Sequence, residues 1–234
     1  MTSNAYTRPT HKPRPLIDLL VSIVIPSVIL MKFSGEADLG AARALLLALS
    51  FPIGWGLFEL LKYRKFNFIA LLGLVSVLLT GGIGLLQLDT RWLAIKEAAI
   101  PGLIGLAVAV SAHTRQPLVR ALLFSPALMN VERIQEHLDL RGNRAAFEAR
   151  LKAATWMLSG SFFFSAAMNY FLATWIVVSP AGTPAFNEEL GRLTLLSYPM
   201  IALPSMLIMM AVLYYLARTI RELAGLKLTE ALKH

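Results

Sequence analysis

Few side chains in this 234-residue sequence are placed to do chemistry, and nearly all of them sit inside or beside long apolar runs. Lys96 and Glu97 are adjacent. On a helix, successive residues point about 100° apart, so the two do not simply neutralise each other. Their place about a turn from the end of an apolar run favours a pair of interface anchors; the functional alternative is a polar cavity or a partner contact. Ser161, Ser165 and Asn169 recur every four residues and share a helix face, with Ser159 beside them. Such a stripe usually joins helices through close packing and hydrogen bonds, and otherwise lines a narrow pathway. Asp18 and Glu59 lie near the ends of apolar runs, close enough to Arg14 and Arg64 to pair or to reach the headgroups. The cluster Thr80-Gly81-Gly82-Ile83-Gly84 allows close backbone approach or a helix break. It is not a phosphate loop, because no Lys-Ser/Thr follows it.

Other chemistries are excluded by composition. There is no cysteine, which removes disulfides, thiolate metal sites and cysteine nucleophiles together. His11, His113, His137 and His234 lie in tails, in a long loop or at a helix end, so a paired-histidine haem site within a span is excluded. No GxSxG, no HExxH and no carboxylate pair at a metal-ligand interval occurs. The reading is therefore of a non-enzyme with no cofactor and no metal. The net charge of +8 does not point to nucleic acid, because the basic residues flank apolar runs instead of covering one soluble face.

The elements that hold these residues are membrane-length helices. A bilayer core needs about 20 mostly apolar residues per helix. Six stretches qualify: 15–31, 41–61, 66–86, 93–112, 153–177 and 195–216. With 56% hydrophobic and 15% charged residues, most of the chain is committed to spans. Seventeen Lys and Arg fall on the tails and alternate loops, while only Lys32, Arg43, Arg91, Lys96 and Arg192 fall on the other side. That asymmetry places both termini in the cytoplasm. The expectation is an all-α polytopic protein of the bacterial inner membrane. It has a cytoplasmic tail (1–14), spans one to four (15–112), a cytoplasmic segment (113–152), spans five and six (153–216) and a second tail (217–234). The outward loops, at 33–40, 87–92 and 178–189, are short.

The cytoplasmic segment carries an amphipathic helix. Ser125-Pro126 resembles an N-cap with proline at the first helical position, and Gly142 supplies a stop. Val131, Ile134 and Leu138 recur at helical spacing between them, which describes a helix lying on the membrane or on the bundle. Asn143 can cap a following helix that runs through Phe147 and Leu151 into span five. Spans two, four and six share a basic residue near the outer end and a proline further in: Arg43 with Pro52, Lys96 with Pro101, Arg192 with Pro199, Pro204 adding a second break. Three tandem hairpins, each able to kink, would give this pattern.

Several local runs then point to one family: Ile17-Asp18-Leu19-Leu20, Tyr63-Arg64-Lys65-Phe66, Thr80-Gly81-Gly82-Ile83-Gly84, Trp92-Leu93-Ala94-Ile95-Lys96, Gln116-Pro117-Leu118-Val119-Arg120 and Asn169-Tyr170. In this order they resemble the septation-protein-A-like family of bacterial inner-membrane proteins, over about residues 15–200. The resemblance implies scaffolding in septation, cell division and envelope maintenance, through contacts with other inner-membrane envelope or division proteins. It places Lys96, Arg120 and the Arg64-Lys65 pair at the family's basic positions. The segment between Arg120 and span five is longer than the family's, and Pro26, Pro52 and Pro101 are extra. The rival is a small transporter or channel, acting as a homo-oligomer, with Lys96, Glu97 and Asn169 on a polar path. Reporter fusions to either terminus should be active in the cytoplasm; a terminus found in the periplasm contradicts the charge reading.

Overall fold

The computed structural model describes residues 19–63, 68–114, 117–123, 129–226 and 230. Among these residues every regular element is a helix: α1 (Leu20–Lys32), α2 (Ala41–Tyr63), α3 (Phe68–Leu85), α4 (Arg91–Ser111), α5 (Leu118–Leu123), α6 (Val131–Leu140), α7 (Arg144–Ile176) and α8 (Pro184–Leu223).

Among the described residues, three helices hold stretches long and apolar enough to cross a membrane: Ala41–Phe58 in α2, Arg91–Ser111 and Pro184–Leu223. α1 and the Val75–Leu85 part of α3 are apolar but shorter. α7 has the length, 33 residues, but Ser159, Ser161, Ser165 and Asn169 dilute its middle. Much of the apolar surface faces outward: Leu103, Leu106 and Val110 on α4, and Met206, Leu207 and Tyr214 on α8, are all more than half exposed. Each large apolar side chain left in water forgoes about 1.5–3 kcal/mol, so continuous rows of them suit an apolar solvent.

The prolines act unevenly. Pro52 and Pro101 lie inside uninterrupted α-helices. Of the three spans expected to kink, only the sixth changes its winding, through a π turn at Tyr198–Ala202. A matching π turn, Leu20–Val24, opens α1. Both stand two residues ahead of a proline, Pro204 or Pro26. The proline ring collides with the carbonyl four residues back, and a wider turn relieves that collision while the helix continues.

α8 also corrects the expected outward loop at 178–189. The helix starts at Pro184, with Thr183 Oγ1 accepting the Phe186 amide at 3.2 Å, an N-cap followed by proline at the first position. Glu189, expected in the loop, sits on the helix and accepts hydrogen bonds from the Val178 and Ser179 amides at 3.0 and 2.9 Å.

The chain forms two compact units. One holds residues up to Lys96 and Leu172–Ser197. In it α1 packs on α2 and on the first part of α8, and α2 packs on α3. The α1–α8 approach is close because Gly191 lies against Ser27 and Met31; a Cβ there would meet the Ser27 carbonyl at 2.9 Å. Buried Asn187 closes the seam, donating to Ser34 Oγ at 3.0 Å and to the Ala41 carbonyl at 2.8 Å.

The other unit holds Glu97–Phe171 and the residues from Tyr198 on. Its core joins Val108, Val119, Ile134, Leu138, Phe147, Leu151, Leu158, Val212, Leu216 and Ile220. The amphipathic helix is therefore docked on helices, with Ile134 and Leu138 fully buried. It starts later than Ser125-Pro126 implied: Asn130 caps it, its side chain accepting the Arg133 amide at 3.2 Å, while residues 124–128 lie outside the described chain. Gly142, at φ +66, ends it in the left-handed conformation that glycine adopts without strain. α7 then runs unbroken from Arg144 through Phe147 and Leu151, as expected. Asn143 turns its side chain elsewhere, donating to the Leu223 carbonyl at 3.0 Å and so closing the end of α8. Ile134→Ala should lower unfolding stability in detergent by about 2–5 kcal/mol. Exposed Arg133→Ala should change it by less than about 0.5 kcal/mol.

Candidate functional site

A polar arrangement inside an apolar helix pair is built by α3 and the start of α4. Asp89 Oδ1 accepts the Arg91 amide at 2.8 Å and so sets where α4 begins. That start buries Leu93, Ala94 and Lys96, the last only 9% exposed. Lys96 Nζ donates to Thr80 Oγ1 at 2.8 Å and to Ser76 Oγ at 3.1 Å. Ser76 and Thr80 are four apart on α3 and share a face, and Thr80 Oγ1 also donates back to the Ser76 carbonyl at 3.0 Å. The ammonium thus bridges two helices through hydroxyls, each such charge-assisted bond being worth about 1.5–3 kcal/mol where water is excluded.

The glycines that follow Thr80 receive α2. Leu49 lies over Gly81 and Leu45 over Gly84, where an added Cβ would meet them at 2.6 and 2.5 Å. Two leucines one turn apart on α2 therefore seat in two glycine notches on α3. The helix continues to Leu85, so the cluster serves close approach and not a break. Gly82 points into open space, as does Gly54 on α2. Between them runs a groove of about 400 Å³ lined by Leu46, Leu49, Ser50, Ile53, Leu78 and Leu85 among others.

The second arrangement is ionic and belongs to the unit around α6. Glu222 on α8 takes Arg150 of α7 at 2.6 Å and Arg218 of its own helix at 2.6 Å. Arg120 pairs with Glu148, and Arg144 with Asp139 at 3.2 Å. All of these are partly exposed, where water and salt screen the attraction, so they fix register more than they stabilise. A small cleft of about 30 Å³ between Arg120, Gln135, Arg144 and Glu148 is water-sized.

Of the residues singled out from sequence, Lys96 is the node of the first arrangement and Arg120 an ion-pair partner in the second. Glu97 is half-buried and begins the other unit. Asn169 bonds back along its own helix, to the Ser165 carbonyl at 2.8 Å and Ser165 Oγ at 3.3 Å. Ser159 crosses to the Gly105 carbonyl at 2.9 Å. Asp18, Arg64 and Lys65 lie outside the described residues. Sequence reasoning missed Ser76, although a serine four residues before Thr80 in an apolar helix was a signal. It also missed Asn187, whose partners lie about 150 residues away and leave no local trace. Among the described residues no cluster of metal-ligating side chains occurs.

No family model matches the chain, and no curated protein or solved structure matches it.

Removing the acceptors should harm the node more than removing the cation. Ser76→Ala/Thr80→Val leaves a buried ammonium short of two acceptors, whereas Lys96→Met leaves hydroxyls that bond to their own helix. In a double-mutant cycle read by unfolding in detergent, Lys96→Met should restore part of the stability that the hydroxyl pair loses. Lys96→Met as the most damaging change of the set contradicts a packing role for the lysine.

Proposed function

We propose that this chain is a six-span protein of the bacterial inner membrane, both termini cytoplasmic, that acts as a scaffold and has no chemistry of its own. It holds other membrane proteins through its helix faces and through a cytoplasmic helical cap made of α5, α6, the start of α7 and the end of α8. The observation that carries this reading is where the polar side chains of the apolar helices go. Lys96 bonds to Ser76 and Thr80, Ser159 to Gly105, and Asn169 to Ser165. Each is engaged by a helix, its own or a neighbour's, which is how polar groups serve packing in lipid.

Two lengths support the embedding. Exposed Trp156 and Trp175 are 19 residues apart on α7, about 28 Å at 1.5 Å per residue, close to the thickness of a hydrocarbon core. Tryptophans at such a spacing belong at the two interfaces. His113, just past the end of α4, meets Trp156 edge-on at 5.7 Å, which puts that helix end at the same level. The first twelve residues of α7 then extend beyond the core, and the ion pairs of the cap lie along them.

The docking face is the outer side of α6, where Glu132, Arg133, Glu136, Asp139 and Leu140 are exposed while Ile134 and Leu138 hold the helix down. A role in septation and envelope maintenance, with envelope-synthesis or division proteins as partners, rests on the sequence resemblance. In-cell crosslinking tests it. Wild type should capture such proteins, and Glu132→Lys/Arg133→Glu/Glu136→Lys should lose them at unchanged unfolding temperature. Capture of this chain alone, or a partner set the triple variant does not alter, contradicts docking through α6.

A further inference from the structure

We propose that the groove between α2 and α3 binds one acyl chain of an anionic phospholipid whose phosphate sits on Arg43. The inference rests on the membrane embedding above and goes beyond the scaffold role.

The groove is apolar and open to one side, and its floor is made by what is missing. Cβ positions built on Gly54 and Gly82 meet nothing within 4 Å, while Leu46 and Leu78 stand exposed along its rims. Its lining on α2 runs from Leu46 to Gly54, about 12 Å along the helix. The slot has about 400 Å³ of volume spread along that length, which suits a stretch of extended hydrocarbon chain.

The charge stands at the right end. Arg43 precedes Leu46 by three residues and Ser50 by seven, so it lies on the groove's face of α2, one turn above its mouth. It is exposed, and it belongs to the first turn of α2, where free backbone N–H groups add to the attraction for an anion. Acidic first-turn residues, which would compete for it, are absent from α2. The sequence Arg43, Leu46, Ser50, Gly54 therefore descends one face from cation to apolar slot, matching a lipid from phosphate to tail. Apolar fit explains retention of any lipid; the guanidinium adds preference for a net negative headgroup. A second copy of this chain would fill the slot too, but would set two Arg43 residues against apolar surface.

Three variants separate the contributions. Gly82→Leu fills the slot from α3, and Gly54→Leu fills it from α2 in case the first disturbs the glycine seam. Arg43→Gln removes the charge alone. Each protein is purified in mild detergent, stripped of lipid, and titrated with phosphatidylglycerol and phosphatidylethanolamine while bound lipid is counted by native mass spectrometry. Wild type should bind one phosphatidylglycerol about fivefold more tightly than phosphatidylethanolamine. Arg43→Gln should keep binding and lose that preference, and both glycine variants should lose binding of either lipid. Equal binding by wild type and the glycine variants, no preference in wild type, or a wild-type dimer split by Gly82→Leu overturns the inference and leaves the embedding intact. A protein that stays dispersed without detergent overturns the embedding as well.

Discussion

A hydroxyl, amide or ammonium carried into hydrocarbon costs several kcal/mol unless another group of the protein engages it. The helix contacts of this chain are organised around that cost. Lys96 enters an apolar pair where Ser76 and Thr80 present two acceptors on one face. Asn187 crosses from α8 to Ser34 and the Ala41 carbonyl at the α1–α2 turn, and Ser159 ties α7 to α4. Each bond joins segments far apart in sequence, so each selects one packing of helices that apolar contacts alone would leave free to slide. Among the described residues, Ser27 Oγ and Asn187 Oδ1, and Ser205 Oγ and Thr219 Oγ1 on α8, are buried without a partner, the places where this demand is unmet.

Glycine supplies the other half of the packing. Lipid tails are as apolar as leucine, so helices gain by fitting together closely and not by leaving the lipid. Gly81 and Gly84 take Leu49 and Leu45, and Gly191 takes Ser27 and Met31. On α3 the same few residues serve three purposes: Thr80 holds the lysine, Gly81 and Gly84 receive α2, and Gly82 leaves the slot beside them open.

Much of this was legible before any coordinates, for identifiable reasons. Apolar length marked the long helices but not α5 or the start of α8, and Ile134 and Leu138 were read correctly as the buried side of an amphipathic helix. The run through Asn143, Phe147 and Leu151 into a long helix was likewise legible, because nothing between Arg144 and Ile176 breaks it. Boundaries were not. Glu188 and Glu189 read as loop, since charge near an apolar run looks like an interface; the Thr183-Pro184 start and the buried Phe186 and Leu190 carry the helix through them. Pro52 and Pro101 read as kinks, yet their helices are continuous. Lys96 stood out by type and place, but its meaning depended on which hydroxyls α3 would offer, a matter of pairing between helices that one helix's pattern does not encode. The cap's ion pairs lay beyond reach for the same reason, with Arg150 and Glu222 separated by 72 residues.

The central claim is that the polar residues of the apolar helices face protein and lipid, not a water-filled path. Because the chain has no cysteine, single cysteines at Ser161, Ser165 and Asn169 can be read without background. Their reaction with a charged, membrane-impermeant thiol reagent in permeabilised cells is the direct measurement, with Glu36→Cys in the exposed turn before α2 as the reactive reference. All three should stay unmodified until the protein is denatured, while the reference labels at once. Labelling of Ser165→Cys and Asn169→Cys in the folded protein at a rate near the reference would mean that water reaches the stripe, and a conducting path would replace the scaffold.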